Sequence, residues 1–365
     1  MNQHETYLGN PQLKAAYVPQ DFTKEQIQEY VKCKSDPIYF ISEYIKIISV
    51  DEGLVDFNLR DYQKNMVQSF HDKRFVICKM ARQSGKSTTI IAYLLHYALF
   101  NENISIAVLA NKKSTALELL SRLQLAYENL PKWLQQGVIV WNKGNIELEN
   151  GSKILASSTS GSAIRGGSFN IIFLDEFAHI PQNISEQFFS SVYPTITSGQ
   201  TTKVLVVSTP NGMNLFYKMW VDAKEGNNDY IPISVHWSQV PDRDDKWKKD
   251  TIRNTSERQF QQEFECSFLG SSNTLISAEK LITMPFKKPI YQYEGLDVYQ
   301  EPINNHTYVI VCDVSRGVEL DYSAFSIFDV TQQPYRQVGK YRKNDISPML
   351  YPNIIFTTAQ KYNEA

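Results

Sequence analysis

The residues whose chemistry can be inferred most directly are Gly85, Lys86 and Ser87, which follow one another in the chain. An apolar run, Phe75–Cys78, precedes them, and a helical pattern with one apolar face, Thr89–Phe100, follows them. A strand, a turn containing glycine and a helix in this order are typical of a phosphate-binding loop, where backbone N–H groups face an anion. Lys86 would then reach the β and γ phosphates of ATP, and the Ser87 hydroxyl would bind Mg²⁺.

One feature of this loop departs from the usual motif, because Met80 stands where a glycine normally begins it. A glycine, lysine and serine alone would also fit a helix N-terminus with a chance lysine. The strand before and the helix after favour nucleotide binding. The loop residues that we predict to bind ATP are Gln83, Ser84, Gly85, Lys86, Ser87 and Thr88.

A second strand, Ile171–Glu176, ends in the two carboxylates Asp175 and Glu176. Its continuous apolar run indicates a buried parallel strand, and ligands bind at the carboxyl ends of such strands. Asp175 would hold Mg²⁺, and Glu176 would orient and polarise the water that attacks the γ-phosphate. The alternative is a strand end whose acids cap a helix. The phosphate-binding loop upstream favours the catalytic interpretation.

A third apolar strand, Lys203–Pro210, ends in Ser208, Thr209 and Pro210. Hydroxyl groups at that edge could sense the γ-phosphate or bridge to the catalytic water. The following Pro-Asn-Gly sequence also predicts a turn, and the two interpretations are compatible.

The segment Phe57–Gln63, upstream of the loop, could bind the base of the nucleotide through Arg60, Tyr62 and Gln63. A glutamine amide can donate to and accept from the adenine edge at once, and a tyrosine ring can stack on it. Without the loop downstream, the start of an amphipathic helix with solvated polar residues would be the simpler interpretation.

Composition limits the possible partners. With 365 residues the chain suggests two domains or one large domain with attachments, and its net charge of −2 gives no global basic field. Nucleic-acid binding would therefore depend on local patches such as Lys246–Lys249 or Lys287–Lys288. The scattered cysteines indicate buried thiols in a reducing compartment. The longest apolar stretch, Ile90–Phe100, is too short to span a bilayer, so we expect a cytosolic protein and no membrane.

The rest of the chain predicts a sheet with helices around it, followed by a different pattern. Helices are expected at Thr23–Cys33, Ile38–Ile48 and Ser114–Leu130, and strands at Ile104–Ala110, Val138–Trp141, Asn145–Leu148 and Ser152–Ser157. Thr307–Val330 predicts a strand, a turn and a strand, with Asp313 after the first apolar run and Asp321 in the turn. A strand, Val338–Lys343, and a helix, Met349–Tyr362, follow.

Together these motifs resemble the large terminase subunit of tailed bacteriophages, in particular the branch with contractile tails. The family's phosphate-binding loop also lacks the leading glycine and carries Arg-Gln before Gly-Lys. The matching segments, within about Asp36 to Gly270, are Leu59–Gln63, Arg82–Ser87, Ala163–Gly166, Leu174–Glu176 and Ser208–Gly212. Their order and combination carry the resemblance, since each motif alone is less specific.

The resemblance implies a fold of two parts. The first is a P-loop ATPase of the ASCE type, an α/β domain with a mainly parallel sheet flanked by helices. The second is the first part of a nuclease domain resembling RNase H. The expected boundaries are an N-terminal arm and helical segment at 1–50, the ATPase at 51–270, a linker at 271–300 and the partial nuclease domain at 301–365.

The resemblance also implies roles for single residues. Arg82 would be an arginine finger acting in cis, Ser208, Thr209 and Pro210 would couple hydrolysis to movement, and Arg165 would act in trans across a subunit interface. In the nuclease part, Asp313 and Asp321 would belong to a two-metal carboxylate site. The family's further acids would lie beyond Ala365, so we expect a chain that is incomplete at its C-terminus.

The implied function is an ATP-hydrolysing motor that moves viral double-stranded DNA into the procapsid, with endonuclease activity in the complete protein. Its partners would be the portal protein of the procapsid, the small terminase subunit and further copies in a homo-oligomeric ring, in the host cytoplasm and transiently docked on the procapsid. Two alternatives stay open: a helicase-type DNA translocase, and a non-catalytic DNA-binding assembly subunit.

Overall fold

A computed structural model describes residues 5–160, 164, 167–268, 287–317 and 321–365. The chain divides into two units, Met1–Glu279 and Lys280–Ala365. None of the helices in these ranges is both long and apolar enough to cross a membrane.

The first unit contains a hairpin and a large sheet. Its strands are β1 (Lys46–Ser49), β2 (Gly53–Asp56), β3 (Phe75–Met80), β4 (Ser105–Ala110), β5 (Val138–Trp141), β6 (Asn145–Leu148), β7 (Lys153–Ser158), β8 (Ile171–Asp175), β9 (Lys203–Ser208) and β10 (Ile231–Val235). Strands β3 to β10 form one sheet in the order β10-β3-β9-β8-β4-β7-β6-β5. The neighbours from β10 to β7 are parallel, and β7-β6-β5 are antiparallel.

Helices surround this sheet. They are α1 (Lys24–Ser35), α2 (Pro37–Tyr44), α3 (Asp61–Asp72), α4 (Lys86–Phe100), α5 (Lys113–Glu128), α6 (Gln182–Ser198), α7 (Leu215–Glu225), α8 (Asp245–Asn254) and α9 (Glu257–Glu263). The chain is thus a mixed α/β protein whose central sheet is mainly parallel and flanked by helices, as the sequence predicts.

The central strands are mostly apolar because both faces of the sheet are covered. On β3, Val76 and Cys78 pack into the larger core cluster with residues of α4, whereas Ile77 packs into a second cluster with Phe216 and Trp220 of α7. All residues of β8 are buried. A strand buried on both sides holds its last residues in a fixed position at the edge of the sheet.

The predicted helix Ile38–Ile48 is too long. The helix ends at Tyr44, and Lys46–Ser49 instead pairs antiparallel with Gly53–Asp56. β-Branched residues, as in this segment, favour strands, and Gly53 at φ 75° supplies the tight turn. The predicted N-terminus of α1 is correct, since Thr23 and Gln26 form a capping box.

The second unit is an antiparallel sheet with one helix against it. Its elements are β11 (Tyr291–Tyr293), β12 (Leu296–Val298), β13 (Tyr308–Asp313), β14 (Ser323–Asp329), β15 (Arg336–Lys343) and α10 (Tyr351–Lys361). The strand order is β11-β12-β15-β14-β13. The strands and helix predicted after Thr307 are therefore observed. Tyr351 of α10 packs against Phe325 and Tyr341 of the sheet.

Part of the stretch predicted as a linker, 271–300, is not a linker. Residues 291–298 form the hairpin of β11 and β12, which joins the sheet of the second unit through β15. Its turn places Glu294 and Gly295 at positive φ, as two-residue hairpin turns require. Residues 271–286 of the predicted linker lie outside the described residues.

Candidate active site

The loop between β3 and α4 has the backbone expected of a phosphate-binding loop. Gly85 has φ 75° and is the N-cap of α4, and Gln83 has φ 58°. A positive φ at a residue other than glycine is strained, and such strain clusters at functional sites. The Ser84 hydroxyl is buried and has no hydrogen-bond partner among the described residues. A bound phosphate could satisfy this group and the free N–H groups of the first helical turn.

The predicted lysine and glutamate meet at the carboxyl edge of the sheet. Lys86 Nζ lies 2.7 Å from Glu176 Oε1. Strand β9 separates β3 from β8 in the sheet, and all three are parallel, so their carboxyl ends open at the same edge. Glu176 has φ 50° and ψ 41°, a left-handed conformation that turns the chain directly after β8. This strained position is a further sign of a functional residue.

The predicted metal ligands also lie together. Ser87 Oγ is 3.2 Å from Asp175 Oδ1 and 3.3 Å from Oδ2. A hydroxyl and a carboxylate are the oxygen ligands that Mg²⁺ takes, and this ion also keeps waters and substrate phosphates as ligands. No cluster of three or more histidine, cysteine or acidic side chains suited to a metal exists in the described ranges. Ser87 and Asp175 together would suit a Mg²⁺ ion that takes its remaining ligands from water and a nucleotide.

The two carboxylates of this edge have opposite pKa shifts. Burial, and after it the negative charge of Glu176, raises the pKa of Asp175 to about 6. Burial also acts to raise the pKa of Glu176, but the Lys86 ammonium outweighs it and leaves that pKa below its usual value. Glu176 is therefore ionised at neutral pH and able to accept a proton.

Metal-free protein is expected to lose stability as the pH rises from about 4 to about 6, because of Asp175. The unfolded chain releases this proton near pH 3.8, whereas the folded chain holds it until about pH 6. Between those values the folded state binds more protons, so rising pH favours unfolding. The cost at pH 7 is about 3 kcal/mol, and Asp175→Asn removes it.

Urea unfolding in EDTA at pH 4.5 and pH 7 measures this effect. The stability of Asp175→Asn relative to wild type should rise between the two pH values. An equal change in both proteins would contradict the assignment of this titration to Asp175.

The end of β9 contacts Glu176 at its second oxygen. The Ser208 hydroxyl donates to Glu176 Oε2 at 3.4 Å, and the backbone N–H of Thr209 donates to the same atom at 3.5 Å. Pro210 follows and is buried. Ser208 and Thr209, two of the predicted coupling residues, thus contact one oxygen of the glutamate, and Lys86 of α4 contacts the other.

His179 is a site residue that sequence reasoning missed. Its Nε2 lies 3.0 Å from Thr209 Oγ1 and 3.7 Å from Glu176 Oε2. The only local signal was its spacing, because the 3₁₀ turn after β8 brings residues three apart together.

The predicted adenine segment packs against the phosphate-binding loop. Tyr62 OH donates to the carbonyl of Ser84 at 2.8 Å and accepts from Arg60 Nη1 at 2.9 Å. Gln63, at the start of α3, is 2% exposed, and its Nε2 lies 3.4 Å from the same carbonyl. Its Oε1 accepts from the N–H of Arg60 at 2.9 Å. The segment therefore adjoins the loop, although part of the Gln63 amide is already paired within the protein.

Arg82 contacts a different partner from the one predicted. Its Nη1 lies 3.5 Å from Glu263 Oε1, and its side chain is 60% exposed. Its backbone N–H donates to the carbonyl of Glu263 at 2.7 Å. Thr88 lies in the first turn of α4 and lines a cavity of about 390 Å³ beside β1 and α5. Neither side chain joins the group formed by Lys86 and Glu176.

The remaining predicted residues are Arg165, Asp313 and Asp321. Arg165 is outside the described residues. In the second unit, Asp313 and Asp321 are exposed, and both line one cavity of about 870 Å³ together with Ser315 and Arg316. The two acids predicted for a metal site thus face a common space.

A phosphate-binding loop whose lysine and serine meet two acids at the edge of a parallel sheet defines a P-loop nucleotide-binding protein. Residues 77–282 match the family described as terminase large subunit, T4likevirus-type, N-terminal. This match covers more than half of the 365 residues. The chain therefore belongs to the family of phage terminase large subunits.

Curated relatives agree with this family. The large terminase subunits of Thermus phage G20c and Thermus virus P23-45 are each 28% identical to the chain over 184 residues. The aligned region is 46% of this chain and 36% of each relative. The chain thus spans little more than a third of the length of the curated relatives that it matches.

Solved structures share the fold. The large terminase of bacteriophage HK97 matches with a TM-score of 0.59 and 18% identity, over 84% of this chain and 67% of that one. A mutant ATPase domain of the Thermus phage P74-26 large terminase matches with a TM-score of 0.50 and 19% identity, over 58% of this chain and 95% of that domain. At these identities the likeness concerns the fold alone.

Proposed function

We propose that the first unit hydrolyses ATP and that this hydrolysis drives double-stranded viral DNA into a procapsid. The observation that carries the proposal is the pairing of Lys86 with Glu176 and of Ser87 with Asp175 at one edge of the sheet. The amine, hydroxyl and carboxylates needed for phosphoryl transfer to water are thereby in one place. The solved P74-26 structure is that of an ATPase domain, which agrees with this activity.

The geometry suggests how hydrolysis would proceed. An arriving γ-phosphate competes with Glu176 for Lys86, because a phosphate oxygen offers that ammonium another negative partner. The released Glu176 carboxylate is ionised and can orient a water for attack on phosphorus in line with the leaving ADP oxygen. Ser87 and Asp175 would hold Mg²⁺, which neutralises charge on the β and γ phosphates.

The contacts of Glu176 with β9 support a coupling role for that strand end. Ser208 and Thr209 bind the oxygen of Glu176 that Lys86 does not. A movement of the Glu176 carboxylate on hydrolysis would therefore change its hydrogen bonds with Ser208 and Thr209 directly. His179, which contacts Thr209, extends the same group.

Arg82 is proposed as a residue that stabilises transition-state charge after leaving Glu263. Arg82→Ala is expected to lower kcat by about 10²-fold while the affinity for ADP changes by less than about threefold. Steady-state kinetics and ADP titration measure the two quantities. Arg253→Ala, which replaces an exposed arginine of α8, is the matched control and should leave both unchanged. A loss of ADP affinity as large as the loss of kcat would instead make Arg82 a ground-state binding residue.

The partners of the complete protein are proposed on the family alone. They are double-stranded DNA, the portal of the procapsid, the small terminase subunit and further copies in a ring, in which Arg165 would act in trans. Of the basic stretch Lys246–Lys249, only Lys246 and Lys249 are exposed, since Lys248 pairs with Glu265 and Trp247 packs on Phe260. This stretch therefore gives weak support for a DNA contact.

The second unit is proposed as part of an endonuclease. Asp313 and Asp321 face one cavity, as two ligands of a metal site would. Two-metal cleavage needs several carboxylates, so plasmid cleavage by the 365-residue chain with Mg²⁺ or Mn²⁺ is expected to be absent. Robust cleavage that disappears in Asp313→Ala would show that these residues already suffice.

Phosphate release with and without DNA tests the proposed function. The wild-type chain should hydrolyse ATP, and double-stranded DNA should stimulate it more than single-stranded DNA does. Displacement of a paired strand would favour the helicase-type translocase. Absence of hydrolysis with retained DNA binding would favour the non-catalytic assembly subunit.

A further inference from the structure

The segment 236–266 forms a small aromatic core against the phosphate-binding loop. Trp237, Phe260 and Phe264 of this segment are buried in one cluster with Ala81, the first residue after β3. We call residues 236–266 the clamp segment. It includes α8 and α9 and also supplies Glu263, the partner of Arg82.

Arg243 of the clamp segment binds the backbone of the loop. Its Nη2 donates to the carbonyl oxygens of Arg82 at 3.0 Å and of Gln83 at 3.2 Å. In a trans peptide the carbonyl points opposite to the next N–H group. Holding these two carbonyls therefore turns the N–H groups of Gln83 and Ser84 away from Arg243. This is the arrangement that a loop needs in order to present successive N–H groups to an anion.

Aromatic rings fix the orientation of the Arg243 guanidinium. Its Cζ lies 4.7 Å from the centre of the Trp247 ring and 5.6 Å from that of Phe264. Planar guanidinium groups stack on aromatic faces, which leaves the N–H groups at their edge free to donate. The side chain is thus held by packing, and a lysine could not reproduce both the stacking and the forked donation.

The other amino group of Arg243 is unused. Nη1 is buried and has no hydrogen-bond partner within the described ranges. A buried cationic donor without a partner is costly, and such groups commonly belong to a site that a ligand completes. Gln83, which Arg243 holds, has the strained φ of 58°. The contact thus supports a conformation that the loop would not keep alone.

We propose that Arg243 is a positioning residue of the nucleotide site, which holds the loop ready for phosphates through Nη2. The inference rests on the proposed ATP site. It assigns a role to a residue that lies 160 positions from the loop residue it holds.

Replacing Arg243 with methionine keeps an apolar stem for Trp247 and removes all its donors. The affinities for Mg-ATP and Mg-ADP should fall by about tenfold in this variant. Its KM should rise more than its kcat falls, because the loop of the variant would have to become ordered when the nucleotide binds. Arg243→Lys keeps the charge and should recover part of this loss. Arg253→Met, at an exposed position of α8 in the same segment, is the matched control and should bind as wild type does.

Hydrogen exchange without nucleotide separates this inference from the proposed function. The amides of residues 82–85 should exchange faster in Arg243→Lys than in wild type or Arg253→Met. If the amides exchange faster in Arg243→Lys and the wild-type protein binds no nucleotide, the loop contact is supported and the ATP site is refuted. If folded Arg243 variants keep wild-type exchange and a nucleotide affinity within about twofold of wild type, the inference is overturned while the ATP site stands.

Discussion

Glu176→Gln is expected to lower the kcat of ATP hydrolysis by about 10³-fold while leaving nucleotide affinity within about threefold of wild type. The glutamine keeps the shape of the side chain and loses the negative charge that activates water. Its amide can still contact Lys86 and the end of β9, so the site should stay assembled. Phosphate release under saturating Mg-ATP and titration with ADP measure the two effects.

Glu52→Gln, in the exposed turn between β1 and β2, is the matched control and should retain the wild-type rate. The catalytic interpretation of Glu176 fails if Glu176→Gln hydrolyses ATP as fast as wild type does.

Lys86→Met should abolish measurable nucleotide binding and lower the efficiency of hydrolysis by at least about 10³-fold. It should also destabilise the nucleotide-free protein, because it leaves the carboxylate of Glu176 without its buried partner. The Glu176 side chain is 28% exposed, so the loss of unfolding free energy should be on the order of 2 kcal/mol, less than for a fully buried pair.

A double-mutant cycle tests the source of that cost. In Lys86→Met combined with Glu176→Gln no charge is left unpaired, so most of the lost stability should return. Lys34→Met, on the exposed face of α1, is the control for replacing a lysine and should change neither stability nor binding. Additive destabilisation in the double mutant would show that the ion pair does not account for the effect.

The sequence predicts the central sheet well because its signals are local. Strands β8 and β9 are short apolar runs that stop at an acid and at a hydroxyl residue, and β3 is a similar run shortly before Gly85, as expected of strands covered on both sides. The carboxyl ends of parallel strands then share an edge, which brings Lys86 and Glu176 together. Each strand and its end can thus be predicted from a short stretch of sequence, and the pairing follows from the parallel arrangement of the strands.

Two segments were predicted wrongly because short patterns are ambiguous. The isoleucines of Ile38–Ile48 fit one face of a helix, but the last of them, in Lys46–Ser49, are β-branched and form a strand once Gly53 allows the turn. Residues 291–298 alternate between apolar and polar side chains on either side of a central Glu-Gly, which is a pattern typical of a hairpin. The prolines and lysines before them favoured a linker instead.

Arg243 and Glu263 could not be found from the sequence, since their contacts with the loop depend on how α8 and α9 pack. Arg243 has no motif around it, and its two acceptors are backbone carbonyls, which every residue possesses. Only the aromatic core of the clamp segment brings it to the loop. Residues that act on backbone groups across the fold are therefore the part of this site that needs coordinates.

A crystal structure of the chain with Mg²⁺ and a non-hydrolysable ATP analogue tests the central claim most directly. We expect the γ-phosphate between Lys86 and Glu176, the metal ion on Ser87 and Asp175, and the Lys86–Glu176 contact lengthened from 2.7 Å. A nucleotide bound away from this edge of the sheet, or phosphates that do not contact Lys86, would contradict it.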